Sequence, residues 1–193
     1  MPRALTEQEK RQQYIRFLNK GKEIVFSLGI KKTSIDDITK SVGIAKGSFY
    51  QYFESKEVFM LAIIMEVHQI IFNLAEQQIN VNGDLKNSIR TFLLNLYKTP
   101  ELMFLSKYND EINTLISNLE DSHILKAKQF EASLFKKIAE TCEIELTNMD
   151  ISVVSNLIHT LYLINNSELI ELEALQQTCE LIIDALLSYV FGG

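Results

Sequence analysis

Residues 33–56, TSIDDITKSVGIAKGSFYQYFESK, decide how the rest of the chain is read. They predict two short helices joined by a tight turn, then the start of a third. Ser34 can cap the first helix, because its hydroxyl accepts from an orphan backbone N–H of the first turn. Asp37, three residues on, places a carboxylate at the capping-box position and at the positive end of the helix dipole. Ile35, Ile38 and Val42 fall on one face at helical spacing. Gly43 supplies the backbone freedom of a sharp turn. The second helix is predicted to start near Ala45 and to carry Lys46, Gly47, Ser48, Tyr50, Gln51 and Tyr52, with Phe49 and Phe53 holding it to the core. Two short helices around a glycine turn, the second rich in side chains that reach phosphates and base edges, form a helix-turn-helix.

Such a second helix enters the major groove with its N-terminal residues nearest the bases. Lys46 can donate to guanine and Gln51 can pair with adenine. Ser48 suits a base or a phosphate. Tyr50 and Tyr52 offer a hydroxyl to phosphate and a ring to a thymine methyl, and Gly47 lets the backbone come close. Thr33 and Ser34, at a helix N-terminus, are placed to bind a phosphate.

The net charge of −6 looks wrong for a DNA binder until the chain is divided. Residues 1–56 hold 11 Lys+Arg against 6 Asp+Glu, and the remainder holds 8 against 19. A basic N-terminal module joined to an acidic remainder puts phosphate neutralisation in the first 56 residues. The 193 residues are 47% hydrophobic with only 7 Gly and 2 Pro, which predicts an all-α protein with a sizeable core. No uninterrupted apolar run approaches the roughly 18–20 residues of a membrane span. The charged N-terminus, MPRALTEQEKRQQY, lacks a signal-peptide core, so a cytoplasmic location with no membrane partner is expected. Cys142 and Cys179 have no metal-ligand spacing, and His68, His123 and His159 are too scattered to argue a metal site. No cofactor is implied, and no nucleophile elbow or phosphate-cradling glycine loop supports an enzyme.

The motif resembles the DNA-binding domain of the tetracycline-repressor (TetR) family of transcriptional regulators. The matching residues are Phe26, Gly29, Thr33, Ser34, Ile35, Asp37, Ile38, Gly43, Ile44, Lys46, Gly47, Ser48, Tyr50, Tyr52, Phe53, Ser55, Lys56 and Glu57. About the first 60 residues are covered. Ala45 stands where the family often has a Ser cap, and Phe49 where a smaller aliphatic residue is usual. The resemblance implies an N-terminal three-helix helix-turn-helix DNA-binding domain, 1–56, and a C-terminal helical ligand-binding and dimerisation domain, 57–193. It implies a phosphate contact at Lys56, a homodimer through the last two helices (150–191) and a palindromic double-stranded DNA operator. It also implies a small-molecule effector whose entry swings the long connecting helix and releases DNA.

Elsewhere the pattern predicts helix 1 from a Thr6/Glu9 capping box to Gly29, its apolar pattern interrupted at Gly21, at a cost of about 1 kcal/mol relative to Ala where that glycine is solvent-exposed. A long helix covers 56–78, and NVNGD (80–84) is a turn. Helices follow over 85–97, from Thr99-Pro100, and over 110–119, 122–142, 150–165 and 167–191. The last carries Leu172, Leu175, Cys179, Ile182, Ile183, Leu186, Leu187 and Val190, an apolar surface wide enough to predict packing against a second copy. Met65, Phe72, Phe92, Leu96, Met103, Phe104, Tyr108 and Phe130 are the candidate walls of an apolar effector cavity, with His68 placed to orient a polar group. The alternative is a DNA-binding protein of the same fold governed by a protein partner or by nothing, with a filled core in place of the cavity.

Overall fold

The computed structural model describes residues 5–164 and 171–192, and the side chain of Leu172 is outside that description. The described residues form ten α-helices and no strand. They are α1 (Glu7–Leu28), α2 (Ile35–Val42), α3 (Lys46–Phe49), α4 (Lys56–Gln78), α5 (Leu85–Leu96), α6 (Pro100–Lys107), α7 (Asn109–Ser117), α8 (Asp121–Thr141), α9 (Asn148–Leu163) and α10 (Leu172–Phe191). The start of the last helix expected at 167–170 lies outside the described residues.

Local chemistry sets most boundaries. Capping boxes start α1 (Thr6 with Glu9), α2 (Ser34 with Asp37) and α9 (Thr147 with Asp150). Thr99 caps α6 with Pro100 in its first turn. Gly43 ends α2 in the left-handed region at φ 77°. The α9 start lies earlier than the expected residue 150, because Thr147 and not Asp150 is the cap.

The chain packs as two units, Met1–Glu66 with Asp110–Ile124, and Val67–Asn109 with Leu125–Gly193. This differs from a division after Lys56: the boundary falls inside α4, and α7 with the start of α8 joins the first unit. The start of α4 packs on the first unit through Phe59, whose ring lies 5.4 Å from Phe49 and 4.8 Å from Phe53, and α7 and α8 are tied to it by Glu111, which accepts from Lys31 N–H, and by His123 beside Glu54. Gly21 does not meet the condition of solvent exposure on which its cost rested: it is buried within α1, and a Cβ there would stand 2.3 Å from the Phe59 ring. Glycine is required by the close approach of α1 and α4. Arg16 adds a tie the pattern did not show, donating from Nη2 to the Val42 carbonyl at 3.0 Å, at the negative end of α2.

α4 is long and apolar enough to cross a membrane by length and composition. Its Phe59, Met60, Ile63, Ile64, Val67, Ile71 and Ala75 are instead buried in protein, which is how a helix apolar all round behaves in a core. In the second unit, Arg90 of α5 pairs with Asp184 of α10 at 2.9 Å and with Glu180 at 3.5 Å.

Candidate nucleic-acid interface and effector cavity

In the first unit, Phe17, Phe49 and Phe53 are buried and hold α3 against α1; the Phe17 ring lies 5.6 Å from Phe49 and 5.7 Å from Phe53. α3 is shorter than expected. It is α-helical only over Lys46–Phe49, and residues 50–52 continue as turns in which Gln51 and Tyr52 donate to Ser48 and Phe49 carbonyls. Ala45 provides no side-chain cap, and Gly47 inside the helix is unfavourable by about 1 kcal/mol relative to Ala. Both weaken a longer α-helix.

Lys46, Gly47, Tyr50 and Gln51 are exposed on this element, and Ser48 and Tyr52 are half-buried. A Cβ on Gly47 would meet nothing within 4 Å, so the protein's own packing does not demand glycine there. Lys46 Nζ pairs with Asp36 Oδ1 of α2 at 2.9 Å. The hydrogen bond and charge of that carboxylate raise the Lys46 pKa, so the ammonium stays charged. Tyr52 lays its ring 5.5 Å from Phe17. Lys56 Nζ donates to the Lys31 carbonyl at 3.3 Å, and Lys31 N–H donates to Glu111 Oε2 at 2.8 Å.

Thr33 needs correction as a phosphate ligand. It is 1% exposed, and its hydroxyl and its N–H both donate to the Gly29 carbonyl. Ser34 is exposed, but its hydroxyl serves the cap: it accepts from Asp37 N–H and donates to Asp37 Oδ2 at 2.6 Å.

In the second unit a cavity of about 110 Å³ lies among α4, α5, α8, α9 and α10. Its walls are apolar, with Phe72, Phe92, Leu96, Phe135, Ile158 and Leu187 among them. Phe72 and Phe135 meet edge to face at 4.7 Å. Of the expected lining residues, Phe72, Phe92 and Leu96 are present. Met65, His68, Met103, Phe104, Tyr108 and Phe130 are not on its walls. Met65 belongs to the first unit, Met103 is 59% exposed, and Phe104 packs on Tyr108 at 5.3 Å. The void follows the C-terminal halves of α4 and α8, and α9 and α10 close it with side chains that periodicity marked only as core or dimer surface.

α10 is also less apolar outside than its composition suggests. Cys179, Ile183, Leu186 and Leu187 are buried within the unit. Leu181, Ala185 and Ser188 remain exposed at helical spacing. Burial raises the pKa of both the Cys142 and Cys179 thiols, which disfavours reactive thiolates. Among the described residues no group of His, Cys, Asp and Glu could hold a metal ion.

The family model for bacterial regulatory proteins of the tetR family matches residues 18–63, the stretch that builds the helix-turn-helix. That stretch of the chain is a helix-turn-helix domain similar to those of the tetR family of bacterial regulatory proteins. An uncharacterised helix-turn-helix transcriptional regulator, YvdT of Bacillus subtilis (strain 168), is 41% identical over 51 residues, which is 26% of this chain and 26% of that protein. Beyond this TetR-type domain the likeness is one of fold. A TetR transcriptional regulator from Rhodococcus sp. RHA1 matches 93% of this chain and 97% of its own at 14% identity, with a TM-score of 0.69. RolR, solved in complex with resorcinol, matches 96% of this chain and 90% of its own at 13% identity, with a TM-score of 0.60.

Proposed function

We propose that this protein is a cytoplasmic, dimeric transcriptional repressor of the TetR type that binds a palindromic operator and is released by a small apolar molecule. The observation that carries the reading is the outward display of Lys46, Gly47, Tyr50 and Gln51 on an element fixed from behind by buried Phe49 and Phe53. Lys46 and Gln51 read base edges. Ser48, Tyr50, Tyr52 and Lys56 contact phosphates or a thymine methyl, and Ser34 presents the α2 N-terminus to the backbone. Two copies pair through α9 and α10, with Leu181, Ala185 and Ser188 of α10 facing the partner. Their recognition elements then lie about 34–36 Å apart, one turn of DNA.

The apolar cavity supports a small-molecule effector over control by a protein partner, which needs no void. RolR, of similar fold, was solved with an aromatic diol. At about 110 Å³ the cavity is smaller than the roughly 150 Å³ that holds benzene in an engineered protein core, so a ring enters with a small adjustment of its walls.

The test is selection of genomic fragments by the purified protein, followed by salt titration of the tightest. Recovery of a short palindrome, bound by two chains and losing affinity steeply with salt, is the expected result. Binding that shows no sequence preference, both before and after unfolding and refolding to strip any carried ligand, would remove operator recognition from the proposal.

A further inference from the structure

Glu131 of α8 is a carboxylate 19% exposed that takes no lysine or arginine partner among the described residues. Its Oε1 is 2.9 Å from His159 Nε2 and accepts from Ser155 Oγ at 3.0 Å, both groups on α9. Its Oε2 has no hydrogen bond among the described residues. His68 of α4 stands beside them, its ring 6.3 Å from that of His159, and no protein hydrogen bond to its ring is present among the described residues. Tyr162 completes the cluster, with its ring 5.2 Å from His159 and its carbonyl accepting from Ser106 Oγ. Glu76 and Lys137, further along α4 and α8, form an ordinary ion pair; Glu131 has only an imidazole, which is a cation only when protonated.

The cluster's side chains are not on the cavity walls, but their neighbours along the helices are. His68 is one helical turn before Phe72, Glu131 is one turn before Phe135, and His159 follows Ile158, so three of the five helices that wall the void also carry the polar groups. One turn is about 5.4 Å. Burial works to raise the Glu131 pKa, but His159, His68 and Ser155 together bring it below the ordinary carboxylate value. Burial lowers the His68 pKa, against the pull of Glu131, which keeps that imidazole neutral at pH 7. The carboxylate accepts only, and a neutral imidazole keeps one acceptor nitrogen beside its N–H donor, so the carboxylate with that nitrogen suits a donor-rich cation.

We propose that the effector is a small aryl-alkyl amine, with its ring in the cavity beside Phe72 and Phe135 and its protonated nitrogen at Glu131. This rests on the cavity being the effector site. A ring separated from nitrogen by two carbons suits the one-turn offset. Free acids are disfavoured by the carboxylate, and neutral alcohols gain a hydrogen bond without the charge.

The test is calorimetric titration of the full-length protein at pH 7 with 2-phenylethylamine, 2-phenylethanol and phenylacetate. The amine is expected to bind at least tenfold tighter than the alcohol, with the acid weakest. Glu131→Gln is expected to remove the amine's advantage, with circular dichroism verifying the fold; if that variant does not fold, the wild-type ranking alone decides. An amine no tighter than the alcohol overturns the inference and leaves the cavity reading standing. Binding of none of the three removes both.

Discussion

The two units use aromatic residues in opposite ways. In the first, Phe17, Phe49, Phe53 and Phe59 fill a core so closely that Gly21 has no room for a methyl group. In the second, Phe72, Phe92 and Phe135 edge a void of about 110 Å³. Interiors packed to crystal density transmit any added atom as strain, whereas an apolar void absorbs it. The contrast fits the function proposed above, in which the first unit presents Lys46 and Tyr50 in one geometry and the second admits a guest.

The largest break is expected at Phe49. It is fully buried, so Phe49→Ala should destabilise the first unit by about 3–5 kcal/mol. Urea unfolding followed by circular dichroism would show an early transition, and operator binding would disappear with it. A transition shifted by less than about 1 kcal/mol would mean that the aromatic cluster does not organise the head.

Gly21→Ala and Ala139→Leu test the contrast directly. The first adds one methyl against the Phe59 ring and should cost about 1–3 kcal/mol, even after the helix-propensity gain of about 1 kcal/mol. The second adds three carbons where Ala139 lines the cavity, and should change stability by about 1 kcal/mol or less while blocking phenyl-sized guests. Thermal melts of the two side by side give the answer. Equal destabilisation would show that the two cores are equally full.

Tyr50→Ala sharpens the functional half of the comparison. Tyr50 is 51% exposed, next in sequence to a fully buried neighbour. The variant should weaken operator binding by tenfold or more at fixed salt with its melting temperature unchanged, read by fluorescence anisotropy on the selected fragment. Undiminished affinity would displace the recognition element from residues 46–52.

How much of this was readable in advance follows the range of each interaction. The capping boxes at Thr6 and Ser34, the Gly43 turn and the Thr99-Pro100 start depend on residues within four positions, and each is found where its pattern lies. The role of Gly21 was not readable, because Phe59 stands 38 positions away and periodicity carries no information on close approach. Thr33 looked like a phosphate ligand from its place before a helix; its hydroxyl turns inward to Gly29, a rotamer choice no pattern encodes. The cavity was misplaced toward Met103 and Tyr108 because apolar clusters near a predicted site look alike until α9 and α10 are packed. Likewise, the Lys46–Asp36 pair crosses a turn whose geometry, not its spacing, brings the charges together.

The smallest expected effect compares like with like. Ser34 and Thr147 both cap a helix with an aspartate three residues on, one in each unit. Ser34→Ala and Thr147→Ala should each cost about 1 kcal/mol at pH 7. Hydrogen bonds from Ser34 hold the Asp37 carboxyl below its ordinary pKa, and those from Thr147, with the Tyr189 hydroxyl, do the same for Asp150. A depressed folded-state pKa means that the linked stability is fully present above the unfolded value near 4 and is lost as pH falls through the folded value. The difference between each variant and the wild type should therefore shrink below pH 4 in urea titrations. Asp150 also accepts from Tyr189 at 2.6 Å, so it keeps one partner when Thr147 is removed. The Thr147 variant should accordingly retain more of its acid sensitivity than the Ser34 variant; the reverse order would mean that the Tyr189 bond does not persist in solution.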